Sequence, residues 1–310
     1  MLIQLLLLAL GFVLLVKGAD WFVEGAAGIA DKFGIPQLVI GLTIVAMGTS
    51  APEAAVSITA ALKGTADITV GNVVGSNILN VLVILGLSSV ITSIAVAKTT
   101  VRYEIPIMLG ISGLFLALGA ADGALGLWDG IILWVCFLGY LGYMLLMTKK
   151  GLMQTEEAES SNRPLWLMIL MGIGGMALII LGSDVTVDAA TALAKMFGMS
   201  ERFIGLTIVA LGTSLPELFT SVIAAKKGKA DIAIGNIVGS NIFNFLFVVG
   251  SSAIITPVVF ASGFLVDCIV AIGAGLLLWL CVFRKKKLTR LGGIIMLASY
   301  AGYFVYLLLK

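Results

Sequence analysis

The sequence contains no histidine, few cysteines and few charged side chains. Histidine is the commonest proton shuttle and a common transition-metal ligand, so its absence argues against sites that depend on an imidazole. Cys136, Cys268 and Cys281 lie inside apolar runs without CxxC spacing, which predicts small buried side chains and neither a disulfide nor a metal site. The net charge of +2 is too small to indicate a nucleic-acid partner.

Only 12% of the residues are charged, whereas 60% are hydrophobic and the mean hydropathy is +1.14. A soluble domain carries about 25% charged residues, so this composition indicates a polytopic membrane protein. Apolar runs near the ~20 residues that cross a bilayer recur along the chain. They predict ten membrane helices, at 2–30, 37–62, 68–93, 104–120, 125–147, 164–194, 202–225, 232–255, 263–283 and 291–309. We expect the first to be a retained helix and not a signal peptide, because no basic residue precedes it and no clear cleavage site follows it.

The chain contains an internal duplication. A shift of 164 residues aligns Gly41–Glu53 (GLTIVAMGTSAPE) with Gly205–Glu217 (GLTIVALGTSLPE), and aligns GNVVGSNILN in the first half with GNIVGSNIFN in the second. Between Gly41 and Thr92, 32 of 52 positions are identical without a gap. Polar residues match as well as apolar ones, which chance similarity between hydrophobic segments would not produce.

Each copy contains five predicted helices, an odd number, so the second copy must enter the membrane from the opposite side. The expected fold class is an all-α membrane protein with ten transmembrane helices, arranged as two inverted five-helix repeats with discontinuous core helices. The first repeat is predicted at 1–148 and the second at 164–310, and a polar linker joins them at 149–163.

The charges in the loops predict the orientation. The face that holds the N-terminus has four Lys and Arg residues, the opposite face has fourteen, and Lys17 remains inside the first helix. By the positive-inside rule, both termini are predicted to be extracellular and the 149–163 linker cytoplasmic, with the protein in the cell membrane.

Two glutamates, Glu53 and Glu217, lie in the middle of otherwise apolar helices. A carboxylate at that depth costs at least about 2.5–3.5 kcal/mol on insertion scales, so intramembrane acids are functional by default. A lysine partner across the bundle is the structural alternative, but the cationic side chains lie almost entirely in loops. The sequence therefore predicts that the counter-charge is a transported cation.

A helix break is predicted beside each glutamate. In the segment GTSAPE, Pro52 removes a backbone donor and Gly48 weakens the same turn. The carbonyls near Ala46 and Met47 are therefore expected to be free to face a ligand, which a membrane helix tolerates only where it lines a cavity. A packing kink is the alternative, but it would not explain why Thr, Ser and Glu recur at the same offsets in GTSLPE.

Polar residues spaced four apart share a helix face and bring their oxygens together. Such pairs are Thr49 with Glu53, Ser76 with Asn80, and Ser240 with Asn244. Asn72 and Asn236 are interpreted as supporting side chains rather than ligands. The pooled donors are all hard oxygens, which suits Na⁺ or Ca²⁺ and disfavours zinc, copper, iron and Mg²⁺.

The paired GTSxPE and GNxxGSNIxN segments resemble the alpha repeats of the sodium/calcium exchangers, within the cation/calcium exchanger superfamily, and the chain looks like a prokaryotic member. The resemblance covers nearly the whole chain. It implies a central site between the second, third, seventh and eighth helices, across which the first and sixth helices slide. The family's metal ligands fall on Thr49, Ser50, Glu53, Ser76, Asn80, Thr213, Ser214, Glu217, Ser240 and Asn244, and its sodium-binding carbonyls fall on Ala46 and Ala210. Asn244 stands where potassium-dependent relatives typically have Asp, which implies independence from potassium.

The resulting expectation is a secondary-active antiporter that exchanges Na⁺ for Ca²⁺ by alternating access, with no enzymatic activity. Na⁺ and Ca²⁺ are expected as substrates and the lipid bilayer as partner, without a resident cofactor or an obligate protein partner. The alternative is a proton/calcium antiporter that uses the same glutamate-lined cavity. An intramembrane enzyme built on Asp20 and Asp184 would lack the GxGD context of aspartyl proteases, and inverted repeats favour alternating access over a passive channel.

Overall fold

The computed structural model describes residues 1–64, 67–149, 163–198 and 210–309 of the chain. These residues are mostly helical. The helices are α1 (Leu2–Phe33), α2 (Gln37–Thr49), α3 (Ala51–Leu62), α4 (Thr69–Ile91), α5 (Thr100–Asp122), α6 (Leu127–Lys149), α7 (Leu165–Met196), α8 (Ala210–Thr213), α9 (Leu215–Lys226), α10 (Ala230–Ile255), α11 (Phe264–Phe283) and α12 (Arg290–Leu309).

Eight of these helices are long and apolar enough to cross a membrane. A ninth candidate is the pair α2 and α3, which is bent by 49° at its break. Nine of the ten predicted spans therefore have a helical counterpart with ends that agree within a few residues. The remaining prediction, 202–225, falls partly outside the described residues, and α8 and α9 cover its described part.

The longest helices, α1 and α7, pack against each other in antiparallel directions. Glycines form the contact: a Cβ atom at Gly18 would lie 2.8 Å from the Gly175 carbonyl oxygen, and one at Gly25 would lie 2.6 Å from the Gly172 amide nitrogen. Because the residue numbers fall on one helix as they rise on the other, the start of α1 lies beside the end of α7. Small residues allow such close backbone approach in membrane helices.

Helices α10 and α4 form the centre of the molecule. In their most apolar stretches, 94% of α10 and 72% of α4 are buried, against 22% of α1 and α7 and 17% of α12. Each central helix widens into a π-helical turn, at Asn80–Leu85 and at Asn244–Val249. Such turns occur frequently at functional sites, and here an asparagine begins each one.

Two short antiparallel bridges connect the two halves of the chain. Strand β1 (Ile94–Ala95) pairs with β4 (Lys287–Leu288), and β2 (Ala124–Leu125) pairs with β3 (Val258–Val259). Each bridge therefore pairs a loop of the first half with a loop of the second half.

Candidate cation site

The two site glutamates lie immediately after helix breaks. Ser50 leaves helical geometry between α2 and α3, with φ −84° and ψ 9°, and Ser214 does the same between α8 and α9, with φ −91° and ψ 4°. Pro52 falls in the first turn of α3, where its missing N–H leaves no hydrogen bond unmade. Glu53 and Glu217 occupy the first turns of α3 and α9. Each carboxylate therefore lies at a helix N-terminus, where the helix dipole stabilises negative charge.

The carboxylates of Glu53 and Glu217 are 1% exposed and each contacts the helix break of the other half. The Ser50 hydroxyl donates to Glu217 Oε1 at 2.8 Å, and the Ser214 hydroxyl lies 3.5 Å from Glu53 Oε1. Among the residues that the structure describes, the second oxygen, Oε2, of each glutamate has no hydrogen-bond partner. Among the described residues, no Lys or Arg forms an ion pair with either glutamate. The structural alternative of a paired lysine is therefore not observed there.

The central helices contribute hydroxyls to the same cluster. The Ser76 hydroxyl on α4 lies 3.5 Å from Glu53 Oε1, and Thr213 also interacts with the Glu53 carboxylate. On α10, the Ser240 hydroxyl donates to the carbonyl of Ala46 at 3.4 Å. Helices from both halves of the chain therefore meet at one polar point inside an apolar bundle.

The prediction that Pro52 leaves the Ala46 carbonyl without a helical hydrogen bond is wrong. That carbonyl accepts the backbone N–H of Ser50 at 3.0 Å. The physical reason is register, because the N–H that Pro52 lacks would reach four residues back, to Gly48. The Ala46 oxygen still faces the site, since side-chain hydroxyls from two helices also reach it.

Asparagines on α4 and α10 brace the helix breaks. Asn236 donates to the Ser221 hydroxyl at 3.0 Å and lies 3.5 Å from the main-chain carbonyl of the glutamate in its half, while its own oxygen accepts from Thr49 at 2.9 Å. Asn72 bonds equivalently to Ser57 at 2.9 Å and to the other glutamate's carbonyl at 3.3 Å. These contacts agree with the interpretation of both asparagines as supporting side chains.

Four further asparagines link the central helices reciprocally. The Asn77 amide group donates to the Asn241 carbonyl at 3.2 Å, and that of Asn241 donates to the Asn77 carbonyl at 3.1 Å. Asn80 donates to Asn241 Oδ1, and Asn244 donates to Asn77 Oδ1, both at 3.0 Å. Because their NH₂ groups are held in this way, Asn80 and Asn244 keep a buried, unpartnered Oδ1.

The structure thus connects nine of the twelve predicted site residues to the glutamates or to one another: Ala46, Thr49, Ser50, Glu53, Ser76, Thr213, Ser214, Glu217 and Ser240. We count Asn80 and Asn244 with this cluster because they lie about one helical turn from Ser76 and Ser240, where they bond to Asn241 and Asn77. Ala210 begins α8, at the edge of the described residues. The unpartnered buried oxygens of the cluster include two carboxylate and two amide oxygens. Such oxygens are costly to bury alone and are the donors that a hard cation takes.

Comparison with known proteins identifies the family. The family model described as sodium/calcium exchanger protein matches residues 3–146 and 167–309. The chain belongs to the sodium/calcium exchanger family. It is 42% identical to the putative antiporter CaxA of Alkalimonas amylolytica and 30% identical to the sodium/calcium exchanger MaX1 of Methanosarcina acetivorans, each over 98% of both chains.

A solved exchanger structure is similar along the whole chain. The sodium-calcium exchanger NCX_Mj, soaked with zero Na⁺ and Ca²⁺, superposes with a TM-score of 0.86 at 30% identity, over 99% of both chains. The expected resemblance is therefore confirmed, and the chain is an exchanger of the cation/Ca²⁺ antiporter kind.

Proposed function

We propose that this exchanger carries Na⁺ and Ca²⁺ in opposite directions by alternating access, using the glutamate cluster between α2, α3, α4, α8, α9 and α10. The observation that carries the proposal is the crossed arrangement of two buried carboxylates. Each lies at the helix break of one half, contacts a serine of the other half and keeps one oxygen unpartnered. Two negative charges that pair with no Lys or Arg in the described part of the chain match one Ca²⁺ or at least two Na⁺.

Competition for the same oxygens supplies the coupling. If Ca²⁺ and Na⁺ share Glu53 and Glu217, the two ions exclude one another, and each passage of the site from one side to the other carries only one kind. The proposed ligands are the eleven residues of the cluster together with Ala210. Ca²⁺ accepts six to eight oxygens in flexible geometry, which suits a site built from carboxylates, hydroxyls, amides and carbonyls.

We further propose ten transmembrane helices in two inverted repeats, 1–148 and 164–310, with both termini extracellular and the 149–163 linker cytoplasmic. The antiparallel packing of α1 against α7, which occupy equivalent places in the two copies, supports the inversion. The fourteen-to-four asymmetry of loop charges supports the orientation. Most of the linker lies outside the described residues.

Independence from potassium is part of the proposal. The Asn244 NH₂ donates to Asn77 Oδ1, so this position uses a donor that a carboxylate does not have. The site accordingly holds two negative charges instead of three. We therefore expect the protein to exchange Na⁺ for Ca²⁺ without transporting K⁺ as a third kind of cation.

Calcium uptake into proteoliposomes tests the proposal. Vesicles containing the purified chain are given a sodium gradient alone, a proton gradient alone, or a sodium gradient with choline replacing K⁺, with the voltage clamped by another ion. Uptake under the sodium gradient, with or without K⁺, is the expected result. Uptake under the proton gradient alone would instead establish the proton/calcium antiporter, and a requirement for K⁺ would contradict the potassium assignment.

A further inference from the structure

A group of ion pairs lies away from the glutamate cluster, where α1 meets the end of α9. The Lys227 ammonium contacts Asp20 Oδ1 and Glu24 Oε1, both at 2.6 Å. Arg163 adds a contact of 2.7 Å to Glu24 Oε2. We name Asp20, Glu24 and Lys227 the lysine clamp. Burial alone lowers the pKa of the Lys227 ammonium, but the two carboxylates outweigh it and raise the pKa above its ordinary value, so this lysine stays charged.

The equivalent residues of the other half form no such contact. A shift of 164 residues places Asp20 on Asp184, Glu24 on Asp188, and Lys63 on Lys227. Asp184, Asp188 and Lys63 are exposed and make no ion pair within the described part of the chain. The two aspartates instead line an open cleft of about 580 Å³, which Pro52, Ala55, Val187 and Thr213 also line.

Comparison of equivalent residues in the two halves indicates that, in the described part of the chain, the cleft approaches the glutamate cluster from one end of the molecule only. Val187 and Thr213 line it, whereas their equivalents in the other half, Val23 and Thr49, are 1% and 0% exposed. Lys63 follows α3 and Lys227 follows α9, and the antiparallel packing of α1 on α7 puts them at opposite ends of the molecule. Within the described residues, the cleft beside the glutamate cluster therefore lies at the Lys63 end, and the equivalent region at the Lys227 end is closed around Val23 and Thr49.

We propose that the lysine clamp locks the Lys227 end while the Lys63 end is open, and that Lys63 forms the equivalent clamp with Asp184 and Asp188 in the opposite state. The clamp residues act as positioning residues, since they do not contact the ion-binding oxygens. The inference rests on the proposed function, because the two states are the two halves of an alternating-access cycle.

The geometry explains why such a contact would be specific to one state. Asp20 and Glu24 belong to α1, which packs along α7, whereas Lys227 follows the end of α9, the helix that carries Glu217 in its first turn. A displacement of α1 along its axis by one helical turn, about 5.4 Å, would separate groups that are 2.6 Å apart. The same movement of the α1–α7 pair would bring the acids of α7 towards Lys63.

Cysteine accessibility tests the lock without requiring transport. In a variant with Cys136, Cys268 and Cys281 replaced by Ala, single reporter cysteines are placed at Val187, in the cleft, and at its buried equivalent Val23. We expect Lys227→Gln to slow maleimide labelling at position 187 and accelerate it at position 23. The ratio of the two rates should change by about two- to fivefold, the range for one partly exposed ion pair. Lys63→Gln should change both rates in the opposite directions.

Further variants separate a lock from an ordinary surface contact. Lys227→Arg keeps the charge and should restore the wild-type rates, and Glu24→Gln should reproduce Lys227→Gln. If Val23→Cys does not fold, Phe219→Cys, equivalent to cleft residue Ala55, replaces it as reporter. Equal rates in Lys227→Gln and wild type, or rates that rise at both reporters, would overturn the proposal. Because labelling does not depend on which ions are carried, failure of sodium-driven uptake would leave this result standing.

Discussion

At the scale of single residues, three glutamates are buried in the described part of the chain, and two of them are related by the internal repeat. Glu104 is 0% exposed, but Tyr143 donates to it at 2.7 Å, and its equivalent in the other half is Cys268. Glu53 and Glu217, in contrast, are equivalent to each other and contact each other's helix breaks. The internal repeat therefore distinguishes Glu104, which has a local hydrogen-bonding role, from Glu53 and Glu217, which belong to a cluster built by both halves.

We predict that Glu53→Gln or Glu217→Gln abolishes calcium exchange and leaves the fold intact. Either change removes one of the two charges that balance Ca²⁺, while the amide keeps the volume and an oxygen. The loss of calcium affinity should be at least about tenfold, equivalent to ~1.4 kcal/mol or more. Proteoliposome uptake and the thermal midpoint measure the two effects. Glu104→Gln is the matched control and should transport normally; near-normal transport by either site variant would remove the glutamates from the proposed site.

A second prediction concerns Asn244. Replacing it with Asp removes the donor to Asn77 Oδ1 and places two acceptor oxygens against each other. An acceptor left without its donor costs about 1–3 kcal/mol of stability, so Asn244→Asp should lower the midpoint of thermal unfolding and exchange sodium for calcium more slowly. Asn80→Asp, which opposes Asn241 Oδ1 in the same way, should behave alike. Faster exchange of Asn244→Asp in K⁺ than in choline would instead mean that the added charge admits a third cation.

The sequence indicates candidate ligands more clearly than it indicates the side chains that orient them. Glu53 and Glu217 can be recognised in the sequence because a carboxylate in an apolar membrane helix is costly and is usually functional. Asn77 and Asn241 were not identified as functional, although the motif GSNIxN carries both at the same offset. Their role depends on carbonyls of the opposite central helix, and no pattern within one helix reveals such a contact.

At the scale of elements, the contact between α1 and α7 depends on glycines spaced by seven residues. A Cβ atom added at Gly11, Gly18 or Gly25 on α1 would lie 3.0 Å or less from a main-chain atom of α7. Seven residues make nearly two helical turns, so the three glycines lie on one face. This face of small residues allows the two longest helices to approach closely.

We predict that Gly18→Val destabilises the protein by about 1–3 kcal/mol, the usual cost of overpacking. Its Cβ would lie 2.8 Å from the carbonyl oxygen of Gly175 and from the amide nitrogen of Ile179, and neither backbone can give way cheaply. Gly139→Val is the matched control, because nothing lies within 4 Å of a Cβ there. The midpoint of thermal unfolding in detergent measures the effect. Equal midpoints for the two variants would mean that the α1–α7 contact is looser than described.

Element positions followed from hydropathy, because a membrane helix needs a run of apolar residues of fixed length. The ends agree within a few residues for nine predicted helices. The π-helical turns at Asn80–Leu85 and Asn244–Val249 were not predicted, since an added residue per turn leaves no mark in a uniformly apolar run. The two-residue β bridges were also missed, because they depend on which distant loops meet.

At the scale of the whole molecule, the two bridges mark opposite ends of the bundle. Strand β2 follows α5 and strand β1 precedes it, and α5 is long enough to cross a membrane. The β1–β4 bridge lies in a basic region, since Lys98, Arg102 and the run Arg284–Lys287 flank it. The β2–β3 bridge instead follows Asp122. The bundle therefore has one strongly cationic end, which the positive-inside rule assigns to the cytoplasm.

We predict that cysteines at Asp122 and Lys285 are labelled from opposite sides of the membrane. Both residues are exposed and lie beside different bridges, so neither change disturbs the glutamate cluster. In a variant with the three native cysteines replaced by Ala, an impermeant maleimide added to intact cells should label Asp122→Cys within minutes. Lys285→Cys should react only after lysis, which also serves as the control that its thiol is reachable. The orientation follows from the cost of moving a cationic loop across a membrane, whereas the glutamate cluster depends only on contacts within the bundle. Labelling of Lys285→Cys alone in intact cells would therefore reverse the proposed orientation, and with it the side to which the cleft beside Asp184 opens, while the ligands would remain as proposed.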